Sequence, residues 1–306
     1  MNINWFPGHM AKALRNIEEY LPKVDLIIET ADARIPRSSR NPALDKLLAD
    51  RRPRILILNK LDLADPQITD TWISKFKDSN ILTLPSNSLD KRSAQKVLDA
   101  AQGLLQDKID YREDNQRGFR PMRLMIVGVP NTGKSTLINT LAGRRAANAS
   151  NKAGVTKGPQ WIKAQNKNFE LLDMPGVLWP KLETQEQQLG LAATGAIKDD
   201  LLPIEEVAYE LFKQILVWYP DELSARYKLD NLEQMPYDLF LEAAKKRGTI
   251  QSGGRIDETR FSKLLIKEFR DATIGRISLE KPDTTFNFDE EYQYEQEDGY
   301  SIYGSY

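Results

Sequence analysis

Short apolar runs alternate with amphipathic segments over the first 180 residues. Residues 24–31 (VDLIIETA) and 54–58 (RILIL) are runs of the kind that form strands buried on both faces. Residues 10–21 instead repeat their apolar positions at helical spacing. Strands alternating with helices predict an α/β fold, with a mostly parallel sheet and helices on both faces. Further strands are predicted at 81–84, 123–127, 160–165 and 169–172, and a further helix at 134–142.

The pattern changes after about residue 180, where the apolar spacing becomes helical throughout. Helices are predicted at 204–218, 237–247 and 258–274, the last with Asp257 as its N-cap. Residues 106–121 are polar and charged, which favours a connecting segment. We therefore predict a smaller all-α domain behind the α/β domain. The predicted boundaries are 1–180 for the α/β domain, 181–282 for the helical domain and 283–306 for a disordered tail.

Composition and charge narrow the function classes. The 306 residues include no cysteine, which excludes disulfides and thiolate zinc sites. No apolar stretch reaches the ~20 residues of a membrane span, and the first residues do not form a signal peptide, so we expect a cytoplasmic protein. Residues 1–180 hold 28 basic and 19 acidic residues, whereas 283–306 hold seven acidic residues and no Lys or Arg. A basic body with an acidic tail fits a polyanionic partner, although a mixed surface of no special function fits as well.

A glycine-rich loop follows the strand predicted at 123–127. Residues 128–135 read GVPNTGKS, the spacing of a P-loop, whose backbone N–H groups surround a phosphate chain. We expect Lys134 to bridge the β- and γ-phosphates and Ser135 to ligate Mg²⁺. The bland alternative is a glycine turn between a strand and a helix. A strand before the loop and a helix after it favour the phosphate site.

Guanine specificity is indicated by Asn59-Lys60-Leu61-Asp62, which follows the strand at 54–58. A carboxylate at Asp62 accepts two hydrogen bonds from the N1–H and 2-amino edge of guanine, and adenine offers no such donor pair. We expect Asn59 to bond the other base edge and the Lys60 stem to cover the ring. Ser86-Asn87-Ser88 lies one βα unit later, where a GTPase has its base-contacting loop.

Two further motifs complete a GTPase set. Asp173-Met174-Pro175-Gly176 fits DxxG, in which Asp173 holds Mg²⁺ through water and the Gly176 N–H senses the γ-phosphate. Thr156 stands where a switch I threonine bonds Mg²⁺. Alone, each would be an ordinary turn. The predicted nucleotide- and Mg²⁺-binding residues are Asn59, Lys60, Asp62, Ser86, Asn87, Ser88, Pro130, Asn131, Thr132, Gly133, Lys134, Ser135, Thr136, Thr156, Asp173 and Gly176.

The order of these motifs is inverted, since the guanine motif precedes the P-loop. This order is typical of circularly permuted P-loop GTPases. Within that class the chain resembles the ribosome biogenesis GTPase A family, through WFPGHMAKA at 5–13, DARIPRSSRNP at 32–42, GVPNTGKSTLIN at 128–139, AGVTKG at 153–158 and DMPGVLWPK at 173–181. Thr132 and Met174 depart from the usual family residues, and we expect neither side chain to supply chemistry.

The group that activates the attacking water is not the usual glutamine, because Val177 occupies that position. The resemblance implies that His9, the single histidine, is the catalytic group beside Lys134 and Thr156. The alternatives for His9 are a helix-start residue or an RNA contact. Asn131 stands where similar GTPases coordinate K⁺, with a loop asparagine of no special role as the alternative.

The resemblance also implies a role in late assembly of the large (50S) ribosomal subunit, with binding of pre-50S particles and rRNA in the GTP state and release on hydrolysis. We expect no DNA or membrane partner, and a monomer away from the ribosome. Alternatives are a nucleotide-gated RNA scaffold in which hydrolysis is incidental, and a small-molecule kinase. Candidate RNA-phosphate contacts are Lys245, Lys246, Arg247, Arg255, Arg260, Lys263, Lys267 and Arg270. The alternative for these residues is a solvated helix face.

Overall fold

The computed structural model describes residues 9–48, 52–79, 81–114, 120–147, 158–179 and 181–286. Six strands in these ranges form one sheet with the order β3-β2-β1-β4-β6-β5. All neighbouring pairs are parallel except β5 and β6, which are antiparallel. This confirms the predicted α/β class. The strands are β1 Leu26–Asp32, β2 Arg54–Asn59, β3 Leu82–Pro85, β4 Met122–Gly128, β5 Gln160–Lys163 and β6 Phe169–Asp173.

Helices cover both faces of this sheet because alternate strand residues point to opposite sides. Leu26 and Ile28 pack in one apolar cluster with residues that follow β3 and β4, whereas Ile27 packs in the other with Ile17. The central strand β1 is buried at every position, as its continuous apolar run predicts. The helices of this part are α1 His9–Tyr20, α2 Pro42–Leu48, α3 Pro66–Asp78, α4 Lys91–Asp114 and α5 Lys134–Ala142.

The predicted connecting segment at 106–121 is wrong over its first half. Helix α4 continues to Asp114, because Ala101, Leu105 and Ile109 extend an apolar stripe at i, i+4 spacing that packs under the sheet. Gln106, Asp107 and Asp110 are exposed on the outer face of that helix, and the many polar residues of the stretch hide the stripe in the sequence.

Five helices form the second part: α6 Gln185–Ala193, α7 Ile204–Trp218, α8 Pro220–Tyr227, α9 Pro236–Lys246 and α10 Glu258–Arg270. The sequence prediction singled out α7, α9 and α10 but not α6 or α8. The predicted cap is present, since the Asp257 side chain accepts a hydrogen bond from the Arg260 N–H at 2.9 Å. Helix α10 stops at Arg270, and Ala272 then adopts a φ of 53°.

The apolar core is continuous across the predicted domain boundary at residue 180. A single cluster joins Ile27 and Val127 of the sheet to Trp179 and to Phe212 of α7. The chain after α10 then returns to the sheet, where the Leu279 N–H donates to the Arg34 carbonyl at 2.8 Å. The two parts therefore pack through shared side chains, and the boundary itself stays a prediction.

The first residues of the predicted tail contact the folded body, although only Phe286 among residues 283–286 is buried. Lys75 forms an ion pair with Asp283, and the Phe286 ring, 6% exposed, lies edge-on to Trp218 with centroids 5.8 Å apart. The expected disorder from residue 283 therefore differs from the structure over 283–286. Residues 287–306 lie outside the described residues. Among the described helices, none combines the length and hydropathy that a membrane span requires.

Candidate functional site

Four loops that carry the predicted motifs meet at one edge of the sheet. β1, β2, β3, β4 and β6 are parallel, so their carboxyl ends share that edge. The loops after β2, β3, β4 and β6 are NKLD, SNS, the P-loop and DMPG. Ligands of open parallel sheets bind at this edge, and the permuted chain order does not alter the arrangement.

The P-loop joins β4 to the N-terminus of α5. Gly133 has a φ of 93° and is the N-cap residue of α5. A Cβ at this position would lie 2.0 Å from Asn59 Nδ2, so a side chain is excluded by geometry and by contact. The free N–H groups and the dipole at the start of α5 favour an anion there.

The Lys134 side chain is held by a backbone carbonyl of the P-loop. Its Nζ donates to the Val129 carbonyl at 2.7 Å, and the residue is 6% exposed. Burial lowers the pKa of Lys134 to about 8, and nearby Lys60 adds to this effect while Asp173 opposes it. A phosphate chain beside the ammonium would raise that pKa again, so the side chain is suited to an anionic ligand.

Asn59 connects the guanine motif to the P-loop. Its Nδ2 donates to the Thr132 carbonyl at 2.7 Å, and its Oδ1 accepts from the Ser88 N–H at 2.9 Å and from the Ser88 hydroxyl at 2.8 Å. We expected Asn59 to bond the base edge. Both ends of its amide instead bond protein groups, because the residue is 2% exposed and lies between three loops.

Lys60 and Asp62 lie on the open side of the guanine motif. Lys60 has a φ of 63°, and its Nζ pairs with Asp32 at 3.0 Å. Burial would raise the pKa of Asp32, but Arg34 and Lys60 together hold it well below its ordinary value. Asp62 is exposed and lines the cavity at this edge. It is therefore accessible to a base.

The SNS loop is fixed from two sides. The Ser86 N–H donates to the Leu58 carbonyl at 2.8 Å, and the Ser86 carbonyl accepts from the Leu61 N–H at 3.1 Å. Asn87 makes a local turn bond, accepting from the Leu89 N–H at 3.0 Å. Asn87 and Ser88 line the same cavity as Asp62. The structure thus brings the two predicted base-contacting loops together.

Thr132 has a structural role that the sequence did not show. Its hydroxyl lies 2.7 Å from the Thr30 hydroxyl and donates to the Val129 carbonyl at 3.0 Å. These bonds fix the P-loop on β1. We expected this side chain to supply no chemistry. Its contact with Thr30, which positions the P-loop, was not predicted because Thr30 is distant in sequence and belongs to no motif.

The DMPG loop lies against the P-loop. A Cβ on Gly176 would be 2.8 Å from the Pro130 nitrogen and 3.1 Å from Lys134 Nζ. The Val177 N–H donates to the Gly128 carbonyl at 3.2 Å, and the Val177 side chain is fully buried in the core. Gly176 is therefore required for a close backbone approach, and Val177 contributes packing.

Two of the three predicted Mg²⁺ ligands are in the described structure. Asp173 is buried at the end of β6, and Ser135 is in the first turn of α5. A carboxylate and a hydroxyl are hard oxygen donors of the kind Mg²⁺ prefers, so the donor set fits the ion. Thr156 and the side chain of His9 lie outside the described residues.

The helical part forms the opposite wall of the site. A cavity of about 1020 Å³ is lined by both the guanine loops and α10. On the P-loop side it is lined by Asn131, Gly133 and Thr136. Asn131 has a φ of 60°, and its Nδ2 donates to the Thr194 carbonyl at 2.7 Å, directly after α6. Lys263, Lys267 and Arg270 face the cavity from α10.

This arrangement changes the interpretation of several predicted RNA contacts. Arg270 donates to the carbonyls of Ala192 and Ala193 at 2.9 and 2.8 Å and pairs with Asp199 at 2.7 Å, so it caps α6. Arg247 pairs with Glu268 at 2.9 Å, and Lys246 pairs with Glu242 at 2.6 Å. Lys267 pairs with Asp271 at 3.0 Å. The predicted contacts that are exposed and have no such pair among the described residues are Lys245, Arg255, Arg260 and Lys263.

Comparison with known proteins gives a consistent set of relatives. Residues 123–214 match the family model described as 50S ribosome-binding GTPase. "Ribosome biogenesis GTPase A" of Priestia megaterium is 41% identical over 283 residues, which cover 92% of this chain and 98% of that protein. The protein of the same name in Thermotoga maritima is 31% identical over 284 residues, covering 92% and 95%. "Mitochondrial ribosome-associated GTPase 1" of Mus musculus is 30% identical over 298 residues and 90% of each chain.

Solved structures support the same grouping. The GDP-bound structure of TM YlqF superposes with a TM-score of 0.64 at 27% identity and covers 88% of this chain and 99% of that one. GNP-bound YlqF from T. maritima gives a TM-score of 0.63 at 27% identity and covers 90% and 100%. Both neighbours hold guanine nucleotides.

Proposed function

Because the chain belongs to the ribosome biogenesis GTPase A family, we propose that it binds and hydrolyses GTP to drive a step in assembly of the large ribosomal subunit. Asn59 carries this proposal, since its amide joins the guanine loop, the SNS loop and the P-loop into one site. The GTP form binds the pre-50S particle and hydrolysis releases it, which implies a cytoplasmic protein. A variant that binds GTP without hydrolysing it should stay on the particle; its normal release would favour a scaffold instead.

Guanine selection rests on Asp62. Its exposed carboxylate lies in the cavity beside Ser88 and Lys60, where it can accept from both donors of the guanine edge. The Lys60 stem covers the ring. Competition of GTP turnover by ATP is the direct test, and effective competition at equal concentration would exclude this role.

Phosphate and Mg²⁺ binding are assigned to the P-loop and DMPG. Lys134 is the phosphate cation, and Ser135, Thr156 and Asp173 hold the ion. When bound, Mg²⁺ neutralises charge on the β- and γ-phosphates. The Gly176 backbone, held against Pro130, is suited to sense the γ-phosphate. Substitution of Gly176 by Ala should weaken binding of a GTP analogue more than binding of GDP.

Water activation is assigned to His9, which begins α1. The residue after DMPG cannot orient the water, because the Val177 side chain is buried and carries no polar group. An imidazole can hold the water in line or accept its proton. His9→Ala should lower turnover at saturating GTP with affinity unchanged, and an equal loss of both would mark His9 as structural.

K⁺ binding is assigned to Asn131. Its amide nitrogen is fixed by Thr194, and the amide oxygen is the atom that would ligate the cation. A monovalent cation beside the phosphates acts electrostatically. Turnover in KCl should exceed turnover in NaCl at equal ionic strength, and equal rates would exclude this role.

Of the predicted rRNA contacts, the exposed cations Lys245, Arg255, Arg260 and Lys263 of the helical part remain as candidates. Each phosphate contact releases counterions, so its loss flattens the salt dependence of binding. Arg255→Glu should weaken rRNA binding and reduce the slope. Lys77→Glu, the same charge change at an exposed position of α3, is the matched control. An unchanged slope for Arg255→Glu would exclude that residue.

Coupling between nucleotide and rRNA follows from the chain order. α6 is the first α-helix after the DMPG loop among the described residues. The end of α6 is bonded to both Asn131 of the P-loop and Arg270 of α10. A shift of the γ-phosphate sensor would therefore move α6 against the helical part. This is the proposed reason for the inverted motif order.

A further inference from the structure

We infer that the segment 276–280, which follows α10, positions the guanine-recognition loop, and that Arg276 is its principal positioning residue. The loop between β2 and α3 carries Asp62 but has no regular secondary structure of its own over residues 60–65. Besides the Leu61 N–H bond to the Ser86 carbonyl and the Lys60–Asp32 pair, the loop is held by side chains that come from more than 150 residues later in the chain. The inference deepens the proposed guanine recognition and rests on Asp62 having that role.

Arg276 holds the loop on both sides of Asp62. Its Nη2 donates to the Leu61 carbonyl at 2.6 Å, and its Nε donates to the Ala64 carbonyl at 2.9 Å. The guanidinium is planar and its donors are in a fixed arrangement, so the two bonds set the distance and orientation of the two carbonyls. Asp62 lies between them, and its backbone is thereby fixed.

A second set of bonds secures the end of the loop. The Asp65 N–H donates to the Ser278 hydroxyl at 3.1 Å. The Tyr219 hydroxyl, at the end of α7, accepts from the Ser278 N–H at 3.1 Å and lies 3.2 Å from Asp65 Oδ2. Asp65 also caps α3 through the Gln67 N–H. The loop is therefore joined to the helical part at Tyr219 and Ser278.

The segment itself is firmly seated, which lets it act as a fixed support. Ile277 is fully buried and Leu279 is 2% exposed. The Glu280 carboxylate accepts from the Ser38 N–H at 3.0 Å, and its carbonyl accepts from Trp72 Nε1 at 2.9 Å. Arg276 thus extends from an anchored backbone toward the loop.

The functional consequence concerns affinity and base choice. Recognition of guanine requires both carboxylate oxygens of Asp62 in the plane of the base. GDP offers two donors to this carboxylate and IDP offers one, so a displaced carboxylate weakens GDP binding more than IDP binding. Binding energies are reciprocal, so a partner that lifts the segment 276–280 would weaken guanine nucleotide binding, and nucleotide would weaken that partner's binding.

The test compares GDP with IDP, which lacks the 2-amino group. Dissociation constants are measured for the full chain, Arg276→Ala, Arg276→Lys and Arg15→Ala, an exposed arginine on α1 as matched control. We expect Arg276→Ala to weaken GDP binding about tenfold and IDP binding only about twofold, since GDP makes two hydrogen bonds to the Asp62 carboxylate and IDP makes one. Arg276→Lys reaches one carbonyl and should give an intermediate loss. Arg15→Ala should change neither.

Two further arms keep the outcomes separate. Asp62→Ala should remove the preference for GDP over IDP; if it does not, the proposed guanine recognition fails. If Asp62→Ala behaves as expected but Arg276→Ala keeps the wild-type GDP to IDP ratio, the positioning inference alone is overturned. Thermal unfolding is recorded for every variant. Should Arg276→Ala not fold, Arg276→Lys and Ser278→Ala decide by the same ratio.

Discussion

Removal of the Asn59 side chain should separate the loops that build the nucleotide site. The amide makes three hydrogen bonds of 2.7, 2.9 and 2.8 Å, and the residue is 2% exposed. Asn59→Ala leaves the Thr132 carbonyl and the Ser88 N–H buried without this partner. Each such group costs about 1–3 kcal/mol, so we expect a loss of about 2–6 kcal/mol in the free energy of unfolding.

The same substitution should also weaken GDP binding. GDP spans the P-loop and the guanine loop, and without Asn59 the ligand itself must hold these loops in register. We expect an affinity loss of at least about tenfold, equivalent to ~1.4 kcal/mol. Asn59→Asp keeps the acceptor for Ser88 but directs a carboxylate at the Thr132 carbonyl, and should be no more stable than Asn59→Ala.

Urea unfolding and GDP titration measure both effects. Asn166→Ala is the matched control, because Asn166 makes a single turn bond of 3.0 Å from the Asn168 N–H in the β5–β6 turn. If Asn59→Ala and Asn166→Ala agree within about 0.5 kcal/mol, the range of ordinary surface changes, the bracing role of Asn59 is refuted.

Three further predictions concern titration and packing. The pKa of Lys134 falls from 10.5 to about 8 on folding, so the unfolded chain binds more protons than the folded chain between pH 8 and pH 10.5. The nucleotide-free protein should therefore gain stability relative to Lys134→Met as the pH rises through that window. A difference in urea stability that stays constant with pH would contradict this. Burial raises the pKa of Glu280 from 4.5 to about 7. Its contribution to the free energy of unfolding, measured against Glu280→Gln, should be full below pH 4.5 and lost as the pH rises through 7. Parallel profiles of stability against pH for the two proteins would count against this. Arg270→Ala should lower the free energy of unfolding by about 2–3 kcal/mol, because two carbonyls at the end of α6 lose their donor. Arg260→Ala, at an exposed position, should lower it little. Equal losses of the two variants in thermal unfolding would exclude the capping role.

The sequence predicts much of the fold because local pattern and motif chemistry agree. All six strands are within a few residues of their predicted positions, since most are apolar runs bounded by polar turns. β5, which reads QWIK, is the exception. The P-loop, NKLD, SNS and DMPG share one edge, as parallel strands require. The permuted class and its family are likewise confirmed by relatives that align over most of the chain.

Contacts between distant residues could not be predicted. Arg276 and Leu61 are 215 positions apart, and Arg270 and Ala193 are 77 apart. Neither arginine belongs to a motif, and in sequence Arg270 is indistinguishable from a phosphate-binding cation. Asn59 was assigned to the base because motif reasoning asks what a side chain offers a ligand. Its actual partners are loop groups that only the fold brings together.

The connection between α4 and β4 was misjudged for a different reason. Charged residues dominate the stretch after Leu105, and their density conceals one apolar position per turn. Ile109 alone continues the stripe, and one side chain gives little signal. Tertiary burial, rather than local propensity, extends that helix.

We propose that this chain hydrolyses GTP during assembly of the large ribosomal subunit, and we expect the subunit to stimulate that hydrolysis because hydrolysis releases the bound protein. The most direct measurement is turnover of GTP and of ATP by the full chain in KCl, alone and with purified large or small ribosomal subunits. We predict hydrolysis of GTP but not ATP, and a rate that rises with large subunits only. Equal hydrolysis of ATP, or the same GTP turnover with either subunit and with neither, would contradict the account.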